Sequence, residues 1–268
     1  MTKTLKVLFM TGSHLRHRYV ANCLKDAGLL SALVIEQREE FVPSPPQGIQ
    51  EEDRLLFIRH FKEREEAELR AFGDEPVEWG VPVLEVNPSE LNSSATKEWI
   101  EQQQPDVVIS YGVHKINQDI LDIFPTYAWN IHGGLSPWYR GNITLFWPFY
   151  FLHPNWAGMT IHRLTSKLDG GGIIHHSVPE LQFGDGIHDV ACNAVKQAAA
   201  DILVLLQKIS NGKKIVEAPQ KSSGKLFTSN DWEPHHLRVI YKLFNNDIVD
   251  CYLRGELGKT EPPLVRAF

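Results

Sequence analysis

The feature that most constrains this chain is a succession of short apolar runs, each closed by a turn and followed by a stretch of helical periodicity. Residues 5–10 (LKVLFM) are the first such run. An apolar run of this length that does not alternate with polar residues is expected of a strand buried on both faces. It stops at Thr11-Gly12-Ser13, after which Tyr19, Val20, Cys23 and Leu24 fall on one helical face and Gly28 marks the helix end. Residues 31–35 (SALVI) give a second strand, and the pattern continues with strands at 81–86, 107–110 (VVIS) and 128–131. Helical segments ending at 98–103 and spanning 119–124 lie between them. Strands and helices in alternation predict an α/β fold, doubly wound, with a mainly parallel sheet and right-handed crossovers.

Two segments depart from this rhythm. Residues 41–50 (FVPSPPQGIQ) carry three prolines and a glycine and cannot form a regular ladder. They lead into a helix at 51–72, with Leu55, Ile58, Phe61 and Leu69 as its apolar stripe and Glu63, Arg64, Glu65 and Glu66 as a solvated face. The stretch from about 41 to 75 is expected to be an insertion that covers or extends the sheet. A long helix is predicted over 187–210, ending at Asn211-Gly212. Residues 1–210 then form the main domain, and 211–268 a small C-terminal appendage, read as a short hairpin around Gly224-Lys225-Leu226-Phe227 followed by a terminal helix.

Composition narrows the function. With 268 residues and 43% of them hydrophobic, the chain can bury a full core. A formal net charge of −6 weighs against nucleic acid as the main partner, because phosphate backbones are held by concentrated Lys and Arg. The three cysteines, Cys23, Cys192 and Cys251, are widely spaced, form no C-x-x-C and read as structural thiols of a reducing compartment. No apolar run approaches the ~20 residues of a membrane helix. A soluble, cytoplasmic protein without a membrane partner is expected.

The most informative passage runs from Trp129 to Ile174. Asn130 and His132 stand two apart at the end of a strand, so their side chains project to the same side. Open α/β sheets bind ligands outside the carboxyl ends of their strands. Gly133 and Gly134 are expected to let a substrate approach the backbone, and Leu135-Ser136-Pro137 turns the chain. Thr160-Ile161-His162 and Leu168-Asp169-Gly170-Gly171 follow. His162 is expected to support the loop or pack beside Asp169 rather than to perform chemistry. His175-His176 has no third ligand at suitable spacing, so no metal is expected and both are read as solvent-exposed strand histidines.

These elements, in this order, resemble the folate-dependent formyltransferase superfamily, whose pattern is Asn-x-His, a Leu-Ser/Leu-Pro turn, Thr-x-His and Leu-Asp-x-Gly. The resemblance spans residues 1 to about 210 and is loosest over the first 75. It implies transfer of a formyl group from N10-formyltetrahydrofolate, as cosubstrate, to an amine, with Asn130, His132 and Asp169 as catalytic residues. Such a transfer requires a neutral amine, stabilisation of an oxyanion and removal of a proton. Asn130 offers an amide donor to the oxyanion, His132 a donor or proton acceptor, and Asp169 a carboxylate that orients the imidazole. No serine or cysteine belongs to the set, in keeping with direct attack of the amine. The resemblance further assigns the turn Ser110-Tyr111-Gly112-Val113 to the pterin ring, with Ile116 and Leu168 as apolar walls.

The acceptor amine is read from other residues. Arg140, followed by Gly141, resembles methionyl-tRNA formyltransferases and their sugar-modifying relatives. Gly12 and Ser13, with Arg16 and Arg18 behind them, suit a phosphate. The appendage is too short for the C-terminal barrel of the tRNA enzymes and resembles that of sugar N-formyltransferases. That resemblance implies a nucleotide-linked amino deoxysugar as substrate, of the kind used for O-antigen and lipopolysaccharide biosynthesis, and a homodimer through the C-terminal tail. Formylation of glycinamide ribonucleotide or of methionyl-tRNA is the alternative reaction. A catalytically silent folate- or nucleotide-binding module is the alternative outside enzymes, opposed by the intact Asn130, His132 and Asp169. A formyl-folate hydrolase lacks a counterpart here for its N-terminal regulatory domain.

Overall fold

The computed structural model describes residues 4–37, 42–221 and 224–268; Phe41, the first residue of the expected insertion, lies outside them. Strand β1 (Val7–Gly12) is buried along its whole length because its side chains alternate between two cores. Val7 and Phe9 pack with Val107, Ile109 and Trp129 on one face of the sheet. Leu8 and Met10 pack with Val34, Ile100 and Val108 on the other. That double burial is the physical reason for the unbroken apolar run.

After β1 come α1 (Leu15–Asp26), β2 (Leu30–Glu36), α2 (Glu51–Phe72), β3 (Val83–Val86) and α3 (Ser94–Gln103). They are followed by β4 (Val107–Tyr111), the one-turn α4 (Gln118–Leu121) and β5 (Tyr127–His132). The second half contains β6 (Tyr139–Gly141), the one-turn α5 (Trp147–Tyr150), β7 (Met159–Arg163), β8 (Ile173–Ser177), α6 (Ile187–Ser210), β9 (Lys225–Phe227) and α7 (Ile248–Leu253). The main sheet has the order β3-β2-β1-β4-β5-β7-β8. Its first five strands run parallel, and β7 and β8 are antiparallel additions. This is the doubly wound, mainly parallel α/β fold expected from the sequence. Strand order reverses between β1 and β4, so a crevice opens at their carboxyl ends.

Helix α2 spans the predicted residues but does not cover or extend the sheet; it packs on α1 and α6 as an outer helical layer. Its rotation also differs from expectation, since Leu55, Ile58 and Leu69 are exposed. The inward face carries Asp53, Phe57, His60, Ala67 and Glu68 instead. Buried charges need partners, and these have them. Arg238 donates to both carboxylate oxygens of Asp53, at 2.7 and 2.9 Å. Arg16 and Arg64 converge on one oxygen of Glu68, at 2.8 and 3.2 Å. Arg64 is therefore drawn inward rather than left on a solvated face, and burial pulls its guanidinium down to about 10. A helix face carrying such groups cannot rest on the apolar surface of a sheet.

The C-terminal segment also differs from a hairpin. Strand β9 pairs in parallel with β6, from the loop after β5. Phe227, Leu237, Ile240 and Ile248 join Phe57 of α2 and Leu135, Tyr139 and Phe146 of that loop in a third core. The chain then runs back along β8, where the His176 N–H donates to the Val265 carbonyl at 2.9 Å. This return buries His175 and His176, which were expected to face solvent. The Val265 and Ala267 N–H groups donate to Nδ1 of His176 and of His175 at 2.9 and 3.1 Å. His175 reaches Asp201 through Nε2 at 3.2 Å. Nδ1 of His176 is an acceptor, so its Nε2 carries the hydrogen and donates to the Ser136 carbonyl at 2.8 Å. Among the described residues, no helix is long and apolar enough to cross a membrane.

Burial pushes His176 down to about 4 and His188 to about 3. Unfolding exposes both rings to water, where they protonate near 6.5. The native state therefore binds fewer protons below that pH, and stability is lost as pH falls from about 6.5 toward 4 and 3. Denaturant melts at pH 7.5 and 4.5 should differ by roughly 2 to 3 kcal/mol from His176 alone. Stability constant down to pH 4.5 would contradict this account.

Candidate active site

The site grows out of the pairing between β5 and β7, which sets Asn130 opposite His162 and His132 opposite Thr160. Alternation along β5 turns Asn130 and His132 to the same side, as their spacing predicts. The Ser110 hydroxyl donates to Asn130 Oδ1 at 2.7 Å, so Nδ2 faces His162 Nε2 at 3.2 Å. The other ring nitrogen of His162, Nδ1, faces the Arg163 carbonyl at 2.9 Å and must carry a hydrogen. In the neutral ring Nε2 then accepts from Asn130. Both ends of the Asn130 amide are thereby oriented, and its second N–H has no partner among the described residues.

His132 is buried at the strand end. Its Nε2 donates to the Tyr139 carbonyl at 2.8 Å, and its Nδ1 faces Asp169 Oδ1 at 3.4 Å. Burial lowers the imidazole below its usual range, with the nearby charges of His162 and Arg140 adding to that, while Asp169 and the Tyr139 carbonyl oppose it. Asp169 behaves in the opposite sense. Burial resists its ionisation, but His132, His162 and the Gly141 N–H outweigh burial and hold the carboxyl at about 2. The Gly141 N–H donates to Asp169 Oδ2 at 2.9 Å, and His162 Nε2 lies 3.6 Å from Oδ1. At neutral pH the carboxylate is charged and the imidazole neutral, with its bare Nδ1 toward the carboxylate. A proton arriving between them meets an acceptor already compensated by negative charge, so the pair is arranged to take one up.

The backbone around these groups is tightly constrained. Asp169 has φ +45°, left-handed and uncommon for a residue with a Cβ. Gly134 has φ +152°, and a Cβ there would lie 2.6 Å from the Tyr139 carbonyl oxygen and 2.7 Å from Thr144 Cβ. The protein's own loop thus already requires glycine at this position. Thr160 ties this loop to β7, accepting from the Ser136 N–H at 2.9 Å and donating to the Gly134 carbonyl at 2.6 Å.

The remaining sequence-predicted residues divide by position. Ser110 orients Asn130. Tyr111 is buried with His17 edge-on at 4.6 Å, and a Cβ on Gly112 would overlap that ring. Val113 and Ile116 pack with Leu91 and Ile120 in the core on the face of the sheet opposite Tyr111, the face to which Ser110 and Asn130 also turn, while Leu168 is half exposed. Arg140 is buried on β6 beside Gly141. Gly12 ends β1, and Ser13 and Arg18 line a cleft of about 380 Å³ with Trp79 and Glu85, beside β2 and β3. Arg16 is held by Glu68 at 2.8 Å and lies 3.1 Å from His14 Nδ1. Arg18 donates to the Glu75 carbonyl at 2.6 Å. The structure thus brings Asn130, His132, Asp169, Ser110 and Arg140 together, and sets Arg16 and Arg18 among partners on α2 and just beyond it. His162 packs beside Asp169, as expected, and also meets the Asn130 amide at 3.2 Å. Gln220, from the segment after α6, binds the main chain of the Asp169 turn; no local pattern in the sequence marks it.

The model of the formyl transferase family matches residues 46–206. Several solved structures share the fold at low identity. A phosphoribosylglycinamide formyltransferase from Anaplasma phagocytophilum is 18% identical, with a TM-score of 0.56, over 85% of this chain and 99% of that one. A sugar N-formyltransferase from a Shewanella species is 14% identical, with a TM-score of 0.56, over 89% and 87% of the two chains. An N-formyltransferase from Helicobacter canadensis, in complex with folinic acid and dTDP-3-aminofucose, is 15% identical, with a TM-score of 0.55, over 88% and 81%.

The Asp169 charge raises the affinity of His132 for a proton against the effect of burial. Asp169→Asn should therefore lower the His132 pKa further, measurable from its ring resonances by NMR titration. An unchanged or higher value would mean that the two groups do not interact as the geometry describes.

Proposed function

Because the chain belongs to the formyl transferase family, we propose that it moves a formyl group from N10-formyltetrahydrofolate to the amine of a nucleotide-linked amino deoxysugar. The observation that carries this reading is the oriented set Asn130, His132, His162 and Asp169 at the carboxyl end of the sheet. The bound folate supplies the formyl carbon. Asn130 directs its spare amide N–H to the formyl oxygen, where negative charge grows as the amine attacks. The neutral His132 and ionised Asp169 accept the proton that the attacking amine must shed, and the imidazolium so formed keeps Nε2 on the Tyr139 carbonyl and Nδ1 on the carboxylate. As the oxyanion collapses, the bond from the formyl carbon to folate N10 breaks and that proton passes to N10, so that tetrahydrofolate leaves and His132 returns to its neutral form. The set fits the donor, since it offers a donor for an oxyanion and a sink for one proton and needs no protein nucleophile.

Two features support a sugar nucleotide as the acceptor. The Helicobacter canadensis protein of the same fold holds dTDP-3-aminofucose together with a folate. Arg140 is buried on β6, next in sequence to the Gly141 whose N–H binds Asp169, and its charge acts on the His132 imidazole, which supports a role in holding an anionic acceptor. Substrate phosphates are assigned to Gly12, Ser13 and Arg18 at the cleft beside β1, with Arg16 reaching them by exchanging its Glu68 contact. The folate ring is assigned to the Ser110–Val113 turn. Glycinamide ribonucleotide is the second acceptor to test, given the match over 99% of the Anaplasma phagocytophilum enzyme.

Incubation with N10-formyltetrahydrofolate and a panel of nucleotide-linked amino sugars, glycinamide ribonucleotide and methionyl-tRNA, read by mass spectrometry, tests the proposal. An N-formyl sugar nucleotide is expected, and Asn130→Ala should lower kcat by roughly 100- to 1,000-fold. Product from glycinamide ribonucleotide or tRNA alone would refute the sugar assignment. No N-formyl product from any acceptor would refute formyl transfer.

A further inference from the structure

The catalytic carboxylate sits on a turn in which the Gly170 N–H donates to the Lys167 carbonyl at 3.1 Å, a bond that involves neither the Asp169 nor the Gly171 carbonyl. Asp169 is left-handed at φ +45°, and neither its main-chain carbonyl nor that of Gly171 belongs to a strand ladder. Both carbonyls are taken by one side chain from outside the family-matched region. Gln220 Nε2 donates to the Asp169 carbonyl at 2.7 Å and to the Gly171 carbonyl at 2.8 Å. Two acceptors dictate which end of the amide faces the turn. Oε1 is left buried with no partner among the described residues. A buried polar atom given up in this way shows that the amide is positioned for its N–H groups.

Gln220 is itself anchored. Ala218 and Ile173 exchange N–H to carbonyl bonds at 2.8 Å each, which fixes the segment against the edge of β8. A few residues on, β9 holds β6, whose Gly141 N–H binds the other side of Asp169, at the carboxylate. The segment after α6 thus reaches Asp169 twice, at its main chain through Gln220 and at its carboxylate through β6.

We propose that Gln220 is a positioning residue for the catalytic turn, holding Asp169 in the left-handed conformation that points its carboxylate at His132 and His162. This rests on the role given to Asp169 above. Without the amide, the turn is free to relax toward an ordinary conformation, and the carboxylate leaves both imidazoles and the Gly141 N–H. A displacement of about 1 Å at such a group costs on the order of 100-fold in rate while leaving substrate binding nearly unchanged.

The test compares Gln220→Glu, which keeps the shape but removes the donors, with Gln220→Ala and with Glu217→Gln. Glu217 pairs with Arg163 in the same segment and touches no reacting group. Both Gln220 variants should lose about 10- to 100-fold in kcat, with KM for either substrate within about threefold of the parent. The carboxyl of Asp169, followed by ¹³C NMR, should titrate at least about one pH unit higher than in the parent. Glu217→Gln should leave kcat and the Asp169 titration as they are. Unchanged kcat and titration in the Gln220 variants would overturn the proposal. So would an equal change in Glu217→Gln, which would mark a general loosening of the segment. The NMR titration needs no turnover, so a parent protein that makes no N-formyl product would refute the proposed function while Gln220 is still read.

Discussion

The antiparallel pairing of β7 with β5 is the constraint on which the site depends. Five parallel strands and their helices build the crevice, but they place only Asn130 and His132 at its edge. The reversal of β7 brings His162 level with Asn130, and the turn from β7 into β8 delivers Asp169 to both imidazoles. A parallel strand in that position would carry its following loop outward from the same end and would not return a carboxylate across β5. The register also matters. A slip of one residue would turn His162 to the opposite face of the sheet and leave the Asn130 amide without its partner.

The electrostatics of the site follow from that placement. Burial alone would push the Asp169 carboxyl up and the His132 imidazole down. The two effects are offset against each other, because each group supplies the charge or the acceptor that the other lacks. The outcome at neutral pH is an ionised carboxylate beside a neutral imidazole whose nitrogens both face acceptors. Around this pair, Ser110, Gly141, Thr160 and Gln220 bind polar atoms that would otherwise be left open. The arrangement is therefore held by hydrogen bonds to main chain and side chain rather than by apolar packing, which cannot orient an amide or a ring nitrogen.

Much of this was legible in the sequence, and the rest was hidden for identifiable reasons. The strands at 7–12 and 107–111 announce themselves because both of their faces are buried, and helix 187–210 because its apolar stripe is long and ends at Asn211-Gly212. Asn130, His132 and Asp169 are visible because their order and surroundings form a pattern. Helix 51–72 has the right bounds and the wrong rotation, since its buried face is built from Asp53, His60 and Glu68, whose partners are remote in sequence. His175 and His176 look exposed on a short polar strand, yet the last residues of the chain cover them. The pairing of β9 with β6 rests on three residues on each side and leaves no periodic trace. Gln220 is likewise invisible, because a single amide 51 residues from Asp169 carries no local signal.

The central claim is that His132 and Asp169 work as one proton-accepting unit in formyl transfer. Single-turnover rates of His132→Gln, Asp169→Asn and the double variant, with saturating folate and acceptor, test it most directly. Residues that act as a unit are strongly non-additive, so each single change should cost about 1,000-fold and the double change scarcely more than either alone. Losses that multiply in the double variant, or turnover undiminished by either single change, would contradict the account.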